Sequence, residues 1–214
     1  DAATAGRVDR YVAISQHVAS RIRRYYNRHA DVIYPPVDTA FYCPDDTVVP
    51  EDFLLIVSAL VPYKRIDVAI EASRLSGVPL RIVGDGPERA EAEREAESLE
   101  VAQHVRFLGR LDRVVELMQA TDLFLLPSQS ESFGLAALEA MACGSPVVAS
   151  RAGGLPEVVE DGVNGILEPV GSVEAMGRRA VDLLRDPDKH RAMAEAAVRK
   201  AADFSADRVV PMYE

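Results

Sequence analysis

Two glutamates eight residues apart, Glu131 and Glu139, are the side chains in this sequence whose types and spacing point most directly to ligand chemistry. Glu139 falls in a predicted helix whose other residues, from Leu135 to Ala142, are apolar on nearly every side. A helix of that kind is buried, and a buried carboxylate needs a partner. We therefore expect a ligand hydroxyl or a basic side chain to contact Glu139.

Glu131 lies just before the same helix, which we expect to begin near Phe133. The first backbone N–H groups of a helix, here those of Phe133, Gly134 and Leu135, have no acceptor within the helix. The helix dipole makes this end positive, so the terminus suits an anion. Two carboxylates beside an anion site predict a ligand with both hydroxyl and phosphate groups, such as a sugar phosphate.

Apolar segments alternate with helical patterns from residue 53 onward. The predicted strands are 53–60, 80–83, 105–108, 123–126, 147–149 and a short one near Ile166. Strands that are apolar throughout and separated by helices are typical of a parallel sheet covered on both faces. The predicted fold class is therefore α/β, a Rossmann-like doubly wound sheet, whose ligands bind beyond the carboxyl ends of the strands.

Two short segments follow predicted strands and could contact a phosphate. Lys64 and Arg65 come after the first strand and precede a helix, so their cationic groups can reach phosphates above the sheet edge. The turn Gly84-Asp-Gly-Pro87 ends the second strand, and its glycines allow close backbone approach. An ordinary strand-to-helix turn would use the same residues, so both interpretations of this turn stay open.

Four phrases in order resemble the donor-binding half of the retaining glycosyltransferases of family four, which have the GT-B fold. They are Leu60-Val-Pro-Tyr-Lys-Arg65, Gly84-Asp-Gly-Pro87, Glu131-Ser-Phe-Gly134 with Glu139 eight residues after Glu131, and Gly153-Gly-Leu-Pro-Glu157. The match extends from about Arg10 to the C-terminus. The resemblance implies that the chain is the C-terminal half of a GT-B fold and binds a UDP- or GDP-linked sugar as the donor of a hexose.

The resemblance also implies roles for individual residues. Lys64 and Glu131 would be catalytic, with Lys64 neutralising the leaving diphosphate together with Arg65, and Glu131 accepting hydrogen bonds from the sugar hydroxyls. Glu139 would hold the ribose hydroxyls. The remaining donor-binding residues would be Ser58, Gly84, Gly86 and, through their backbone N–H groups, Phe133, Gly134 and Leu135. No metal and no further cofactor are expected.

One position departs from the family pattern. Where the family usually has Arg in the phrase Gly-Arg-Leu, this chain has Ser58-Ala-Leu60, so one of the two usual diphosphate cations is missing. Either Arg65 substitutes for it, or the donor site is weaker.

The same resemblance predicts the organisation of the chain. Residues 1–36 would be a remnant of the N-terminal acceptor domain, 37–52 the interdomain linker, 53–204 the nucleotide-sugar-binding domain and 205–214 a crossover helix. In the remnant, strands at 11–14 and 32–34 flank a helix at 15–26. Because Asp1 is not a start Met, we expect a fragment, a processed piece or half of a split enzyme that transfers no sugar by itself. Apolar surface around Val12, Ile14, Val32 and Ile33 predicts self-association in place of the missing domain.

Composition narrows the choice of partners and location. A net charge of −10 argues against nucleic-acid binding. No apolar run reaches the roughly 20 residues of a membrane span, and no signal peptide opens the chain, so a cytoplasmic location is expected. Residues 1–36 nevertheless carry a net +3, with six Arg and three Asp. This is either a solvated helix face or a peripheral contact with the inner face of a membrane.

The single Asp-x-Asp motif, Asp186-Pro-Asp188, is interpreted as a helix cap and not as a metal site.

Besides donor binding in a glycosyltransferase, two other functions remain open. They are a nucleotide-sugar epimerase of similar fold, and a non-catalytic binding or interaction domain.

Overall fold

The computed structural model describes residues 2–213, which begin with a 3-10 helix, Ala2–Arg7, and a small strand–helix–strand unit. Strands β1 (Val12–Ala13) and β2 (Asp31–Val32) pair in parallel, and helix α1 (Gln16–Tyr26) joins them. Both strands are shorter than the predicted 11–14 and 32–34. Two strands without further neighbours in the sheet support only a short hydrogen-bond ladder.

Six parallel strands form the main sheet. They are β3 (Glu51–Val57), β4 (Leu80–Val83), β5 (Val105–Gly109), β6 (Thr121–Leu126), β7 (Val147–Ser150) and β8 (Gly165–Glu168). Their order is β5-β4-β3-β6-β7-β8, and each pair of neighbours is parallel. The predicted α/β class with a Rossmann-like doubly wound sheet is confirmed.

Most of the α-helices that follow β3 cover the two faces of this sheet. The α-helices are α2 (Ile66–Ser76), α3 (Arg89–Ser98), α4 (Val115–Ala120), α5 (Leu135–Ala142), α6 (Leu155–Val158), α7 (Val173–Leu184), α8 (Pro187–Ala202) and α9 (Ala206–Val209). Along β3, Phe53 and Leu55 pack in one hydrophobic cluster with α4, α5 and α8. Leu54 and Ile56 point the other way and pack with α2, α3 and α7. This alternation explains why the strand is apolar at every one of these positions.

The sheet order changes direction between β3 and β6. The chain proceeds outward from β3 to β5 and then returns to the other side of β3, where Leu54 lies opposite Leu123. The loops that leave β3 and β6 therefore separate toward opposite faces and form a crevice at the carboxyl ends, which is the usual ligand position in such folds.

The C-terminal residues lie against the N-terminal unit. In place of one crossover helix, they form α9 and a 3-10 helix, Val210–Tyr213. The backbone N–H of Val37 donates to Phe204 O at 2.8 Å, and the Tyr213 hydroxyl donates to Ile33 O at 3.5 Å. Glu214 lies outside the described residues.

The predicted apolar surface on the N-terminal unit is smaller than expected. Val12 and Ile14 are exposed, at 46% and 40%. Val32 is half-buried and Ile33 is buried, because the C-terminal segment lies over this part of the unit. The prediction of exposure was therefore wrong for Ile33.

The Asp186-Pro-Asp188 motif lies at the start of a helix. Asp186 caps α8, since its carboxylate accepts a hydrogen bond from the backbone N–H of Lys189 at 3.0 Å, and Pro187 is the first helical residue.

Among residues 2–213, no helix combines the length and the apolar character that crossing a bilayer would require.

Candidate functional site

Lys64 and Glu131 meet at the point where the sheet order changes direction. Lys64 ends the 3-10 turn Pro62–Lys64 after β3, and Glu131 lies in the loop after β6. The Lys64 ammonium forms an ion pair with Glu131 Oε1. Their side chains are only 17% and 13% exposed, and Ser128 Oγ donates to the same carboxylate oxygen at 3.0 Å. The structure thus brings the two predicted catalytic residues into direct contact.

The loop that carries Glu131 is held from several sides by backbone contacts. Gln129 N donates to Tyr63 O at 2.7 Å, which joins this loop to the turn after β3. Gly154 N donates to Glu131 O at 3.0 Å. Gly153 has a φ of +56°, and a Cβ there would overlap the Glu131 carbonyl oxygen. The Gly-Gly pair thus permits close packing behind Glu131.

The N-terminal unit also contacts this loop. Ser15 is fully buried, and its hydroxyl donates to Ser132 O at 2.6 Å. The same oxygen, Ser15 Oγ, accepts from Val18 N at 3.0 Å and caps α1. One serine side chain therefore joins the start of α1 to the Glu131 loop.

The expected anion site is the N-terminus of α5. This helix begins at Leu135, two residues later than predicted, because Gly134 precedes it with a left-handed φ of +103°. The helical hydrogen bonds begin with Leu138 N donating to Gly134 O at 3.1 Å. The N–H groups of Phe133, Gly134 and Leu135 thus precede the helical ladder, the arrangement that suits an anion.

Glu139 lies close to a tyrosine that the sequence did not single out. It is half-buried on α5, and Tyr42 and Cys143 are titratable groups near it. Burial raises the pKa of Glu139 above its ordinary value, and the Tyr42 hydroxyl acts in the opposite direction. A contact of Glu139 with a ligand hydroxyl or a basic side chain stays a prediction.

A cavity of about 540 Å³ lies beyond the carboxyl ends of β3, β4 and β5. The residues that line it are Tyr42, Val57, Ser58, Ala59, Val83, Gly84, Asp85, Arg110, Leu111, Asp112 and Val114. Ser58 and Gly84, two of the predicted donor-binding residues, are among them. Gly84 has a φ of +128°, and a Cβ there would overlap Ser58 O. Gly86 packs against the backbone of Leu60, whose carbonyl oxygen a Cβ would overlap.

Arg65 is separated from the Lys64–Glu131 pair. Its Nε donates to both carboxylate oxygens of Asp67 at 2.9 Å, and the Asp67 hydrogen bonds raise its pKa. Arg65 lines a groove between α2 and α3 together with Glu88 and Glu95. Lys64 is therefore the cation that contacts Glu131, and a phosphate contact by Arg65 stays a prediction.

Arg110 and Tyr42 are among the cavity residues that sequence reasoning missed. Arg110 immediately follows β5. Its position, a cation directly after an apolar strand, was a usable signal because the carboxyl ends of parallel strands share one edge. Tyr42 gave no such signal, since it lies in a connector without regular secondary structure.

Comparison with solved structures defines the class of protein to which this fold and site belong. A crystal structure of Anabaena HepE in complex with UDP matches with a TM-score of 0.91 and 28% identity, covering 96% of this chain and 62% of that one. Such neighbours are GT-B glycosyltransferases. The family model described as Glycosyl transferases group 1 matches residues 46–200, and the chain belongs to this family.

Named relatives agree with this assignment. The chain is 38% identical to N-acetyl-alpha-D-glucosaminyl L-malate synthase of Bacillus anthracis, over 77% of this chain and 44% of the relative. It is 35% identical to D-inositol 3-phosphate glycosyltransferase of Segniliparus rotundus, over 92% of this chain and 49% of the relative. The chain thus spans about half the length of these relatives. The family resemblance inferred from the four sequence phrases is confirmed.

Proposed function

We propose that this chain is the donor-binding domain of a retaining glycosyltransferase, which holds a nucleoside diphosphate hexose for transfer to a hydroxyl acceptor. The observation that carries this proposal is the partly buried ion pair between Lys64 and Glu131 at the carboxyl ends of β3 and β6. The pair places a cation and a hydrogen-bond acceptor at the position where open α/β sheets bind ligands.

The charges of the site suit a diphosphate leaving group. Lys64 stabilises the negative charge that develops on the diphosphate as the sugar leaves, and the N–H groups before α5 support it, so no metal ion is needed. Glu131 accepts hydrogen bonds from the sugar hydroxyls. When ligand hydroxyls reach Glu131, its carboxylate is already oriented by Lys64 and Ser128.

The nucleoside would extend from this point into the cavity beyond β3, β4 and β5. The cavity holds about 540 Å³, which falls within the usual range for small-molecule sites. Glu139 then accepts hydrogen bonds from the ribose hydroxyls. UDP is the first nucleotide to test, because the similar Anabaena HepE was crystallised with UDP.

Sugar transfer requires more than the donor site. A GT-B active site lies in a cleft between two domains, and the second wall positions the acceptor and excludes water. Positioning alone accounts for roughly 7 to 11 kcal/mol of a reaction barrier. We therefore expect the 214-residue chain to bind donor but to transfer no sugar by itself.

Calorimetry with UDP, GDP, UDP-sugars and GDP-mannose in the presence of a chelator tests the proposal. Binding without metal is the expected result, and Glu139→Ala should weaken it by about 1 to 3 kcal/mol, the range for losing a buried hydrogen-bond partner. Glu160→Ala, at an exposed position, is the matched control. The proposal is overturned if none of these ligands produces either heat or a thermal shift.

We also propose a cytoplasmic location with a peripheral membrane contact through α1. Arg21, Arg23 and Arg24 are exposed on this helix, and residues 1–36 carry a net +3 in an otherwise acidic chain. Exposed arginines on a helix attract anionic headgroups. Co-sedimentation with phosphatidylglycerol vesicles, compared with phosphatidylcholine vesicles, checks this contact, and equal sedimentation with both would contradict it.

A further inference from the structure

Ser15 makes two hydrogen bonds that together fix the direction of its hydroxyl proton. Its Oγ accepts a hydrogen bond from Val18 N at 3.0 Å, so its own proton is left for the Ser132 carbonyl oxygen, 2.6 Å away. The serine is 0% exposed, so water does not compete for either contact. Ser15 therefore caps α1 and, at the same time, holds the carbonyl of Ser132.

The Ser132 carbonyl belongs to the same peptide unit as the N–H of Phe133. This peptide is trans, so the unit is planar and its C=O and N–H bonds point in opposite directions. Because Ser15 holds the carbonyl toward α1, the Phe133 N–H points away from α1. The backbone of Gly154 packs directly against the same unit, since a Cβ there would lie 2.5 Å from Ser132 O and 3.0 Å from Phe133 Cα.

The side chain of Phe133 is fixed by aromatic contacts. Its ring stacks on that of Tyr34, with centroids 5.6 Å apart, and lies 5.7 Å from the ring of Phe204. Tyr34 follows β2 in the N-terminal unit. The N-terminal unit thus contacts residues 132 and 133 at two points, through the Ser15 hydroxyl and through the Tyr34 ring.

The N–H of Phe133 is available to a ligand. Phe133 is only 3% exposed, yet no oxygen within residues 2–213 accepts a hydrogen bond from its N–H. Backbone N–H groups of buried residues are nearly always hydrogen-bonded. Because this N–H lies two residues after Glu131 and just before α5, an oxygen of a ligand in the candidate site can be its acceptor.

We propose that Ser15 is a positioning residue of the donor site: its hydroxyl holds the peptide between Ser132 and Phe133 so that the Phe133 N–H donates to an oxygen of the sugar or the β-phosphate. The N-terminal unit thereby contributes to donor affinity. This inference rests on the proposed function, because it takes the loop between Glu131 and α5 as the part that binds the sugar diphosphate.

The test compares nucleotide sugars with truncated nucleotides by proton–nitrogen correlation NMR. UDP-glucose, UDP-N-acetylglucosamine and GDP-mannose carry a sugar and a β-phosphate, whereas UMP and GMP lack both. In the unmodified chain, the Phe133 amide proton should move downfield when a nucleotide sugar saturates the site, and it should move less with the matching monophosphate. An absent change, or an equal change with both ligands, would overturn the inference even if no variant folds.

Ser15→Ala removes the hydroxyl without adding bulk. It should lower the affinity for the nucleotide sugar about three- to tenfold, the effect expected for one hydrogen bond that is no longer well aligned. The affinity for the monophosphate should change little, so the ratio of the two affinities falls. The downfield movement of the Phe133 amide proton should also be smaller in this variant.

Asp186→Ala is the matched control, because it removes a helix cap far along the chain from the Glu131 loop. The Asp186 carboxylate accepts from Lys189 N at the start of α8, as Ser15 Oγ accepts from Val18 N at the start of α1. This variant should keep both the ratio of affinities and the movement of the Phe133 amide proton.

The possible failures are distinguishable. If the unmodified chain binds none of the three nucleotide sugars, the proposed function and this inference fail together. If it binds one of them, an unchanged ratio of affinities or an unchanged Phe133 movement in Ser15→Ala overturns the inference alone. An equal loss of affinity for the nucleotide sugar and the monophosphate, or the same fall in the ratio in Asp186→Ala, would show a purely structural role and would also overturn it.

Discussion

The carboxylate of Glu157 accepts a hydrogen bond of 2.7 Å from the backbone N–H of Gln16, 141 residues earlier in the chain. It also accepts one of 3.0 Å from the N–H of His17. Both donors belong to the first turn of α1, where N–H groups have no helical acceptor and a negative charge is favourable. The phrase Gly153-Gly-Leu-Pro-Glu157 thus packs behind Glu131 at one end and binds the N-terminal unit at the other.

Removal of this carboxylate should destabilise the chain. Glu157→Ala is expected to lower the free energy of unfolding by about 1 to 3 kcal/mol, because two N–H groups lose a charged acceptor. Urea denaturation measures the effect, with Glu160→Ala as an exposed control on the neighbouring loop. Equal stability of the two variants would show that the contact between Glu157 and α1 contributes nothing to the free energy of unfolding.

Lys64 is expected to dominate the affinity for the diphosphate. Lys64→Ala should weaken UDP binding about tenfold or more, since hydrogen bonds to charged groups contribute roughly 1.5 to 3 kcal/mol. It should also lower thermal stability, because Glu131 then remains largely buried without a cation. Lys189→Ala, on the exposed first turn of α8, is the control for the loss of one positive charge. Comparable UDP affinities in the two variants would argue against a diphosphate contact by Lys64.

A comparison of two glycines distinguishes the cost of a left-handed backbone from the cost of steric overlap. Gly153 and Gly162 have φ values of +56° and +80°, but only at Gly153 would a Cβ overlap another residue, Glu131. Left-handed backbone costs an alanine about 1 to 2 kcal/mol at either position. Gly153→Ala should therefore lose clearly more stability in urea than Gly162→Ala, and it should lose UDP affinity as well. Matching losses in the two variants would contradict the close packing behind Glu131.

The ionisation of Glu139 should make stability depend on pH. Because burial raises the pKa of Glu139 above its ordinary value of 4.5, the folded state favours the protonated form, and ionisation near neutral pH costs stability. Glu139→Gln should then melt at a higher temperature than the unmodified chain at pH 7. The difference should shrink as the pH falls through the folded pKa and level off below 4.5. If the melting temperatures of the two proteins differ by the same amount at every pH in this range, the raised pKa of Glu139 is refuted.

The exposed apolar residues of the N-terminal unit lead to a prediction about assembly. Val12 and Ile14 are 46% and 40% exposed, and Val210, Met212 and Tyr213 are exposed at the C-terminal end. We expect the 23.3 kDa chain to self-associate at micromolar concentration. Light scattering of the double variant Val12→Lys, Ile14→Lys should show a smaller species, and a monomeric unmodified chain would contradict the prediction.

The main sheet could be predicted because its strands are buried on both faces. The predicted 80–83 and 123–126 match β4 and the end of β6, where apolar character and strand geometry coincide. The first strand was predicted to extend to Leu60, but β3 ends at Val57. Leu60 is buried, at 1% exposure, in the same hydrophobic cluster as Leu54 and Ile56, so hydrophobicity alone could not distinguish it from a strand residue.

The candidate site could be predicted where it depends on local spacing or on the shared edge of parallel strands. Glu131, Glu139 and the start of α5 belong to one segment, whereas Lys64 and Glu131 follow neighbouring strands whose carboxyl ends meet at that edge. The position of Tyr42 in the cavity wall has no local pattern. Similarly, Ser15 and Ser132 are joined across 117 residues of sequence. Contacts of this kind depend on how the N-terminal unit packs on the main domain, which the order of apolar and polar residues does not specify.

The backbone contacts of the Glu131 loop have a consequence for the rate of ligand binding. This loop is hydrogen-bonded to the turn after β3 through Gln129, to the segment after β7 through Gly154, and to α1 through Ser132. A loop already ordered in this way loses little conformational entropy when a ligand arrives. A nucleotide that enters this site should therefore associate in a single kinetic phase, whose rate rises linearly with nucleotide concentration and includes no slow rearrangement of the loop.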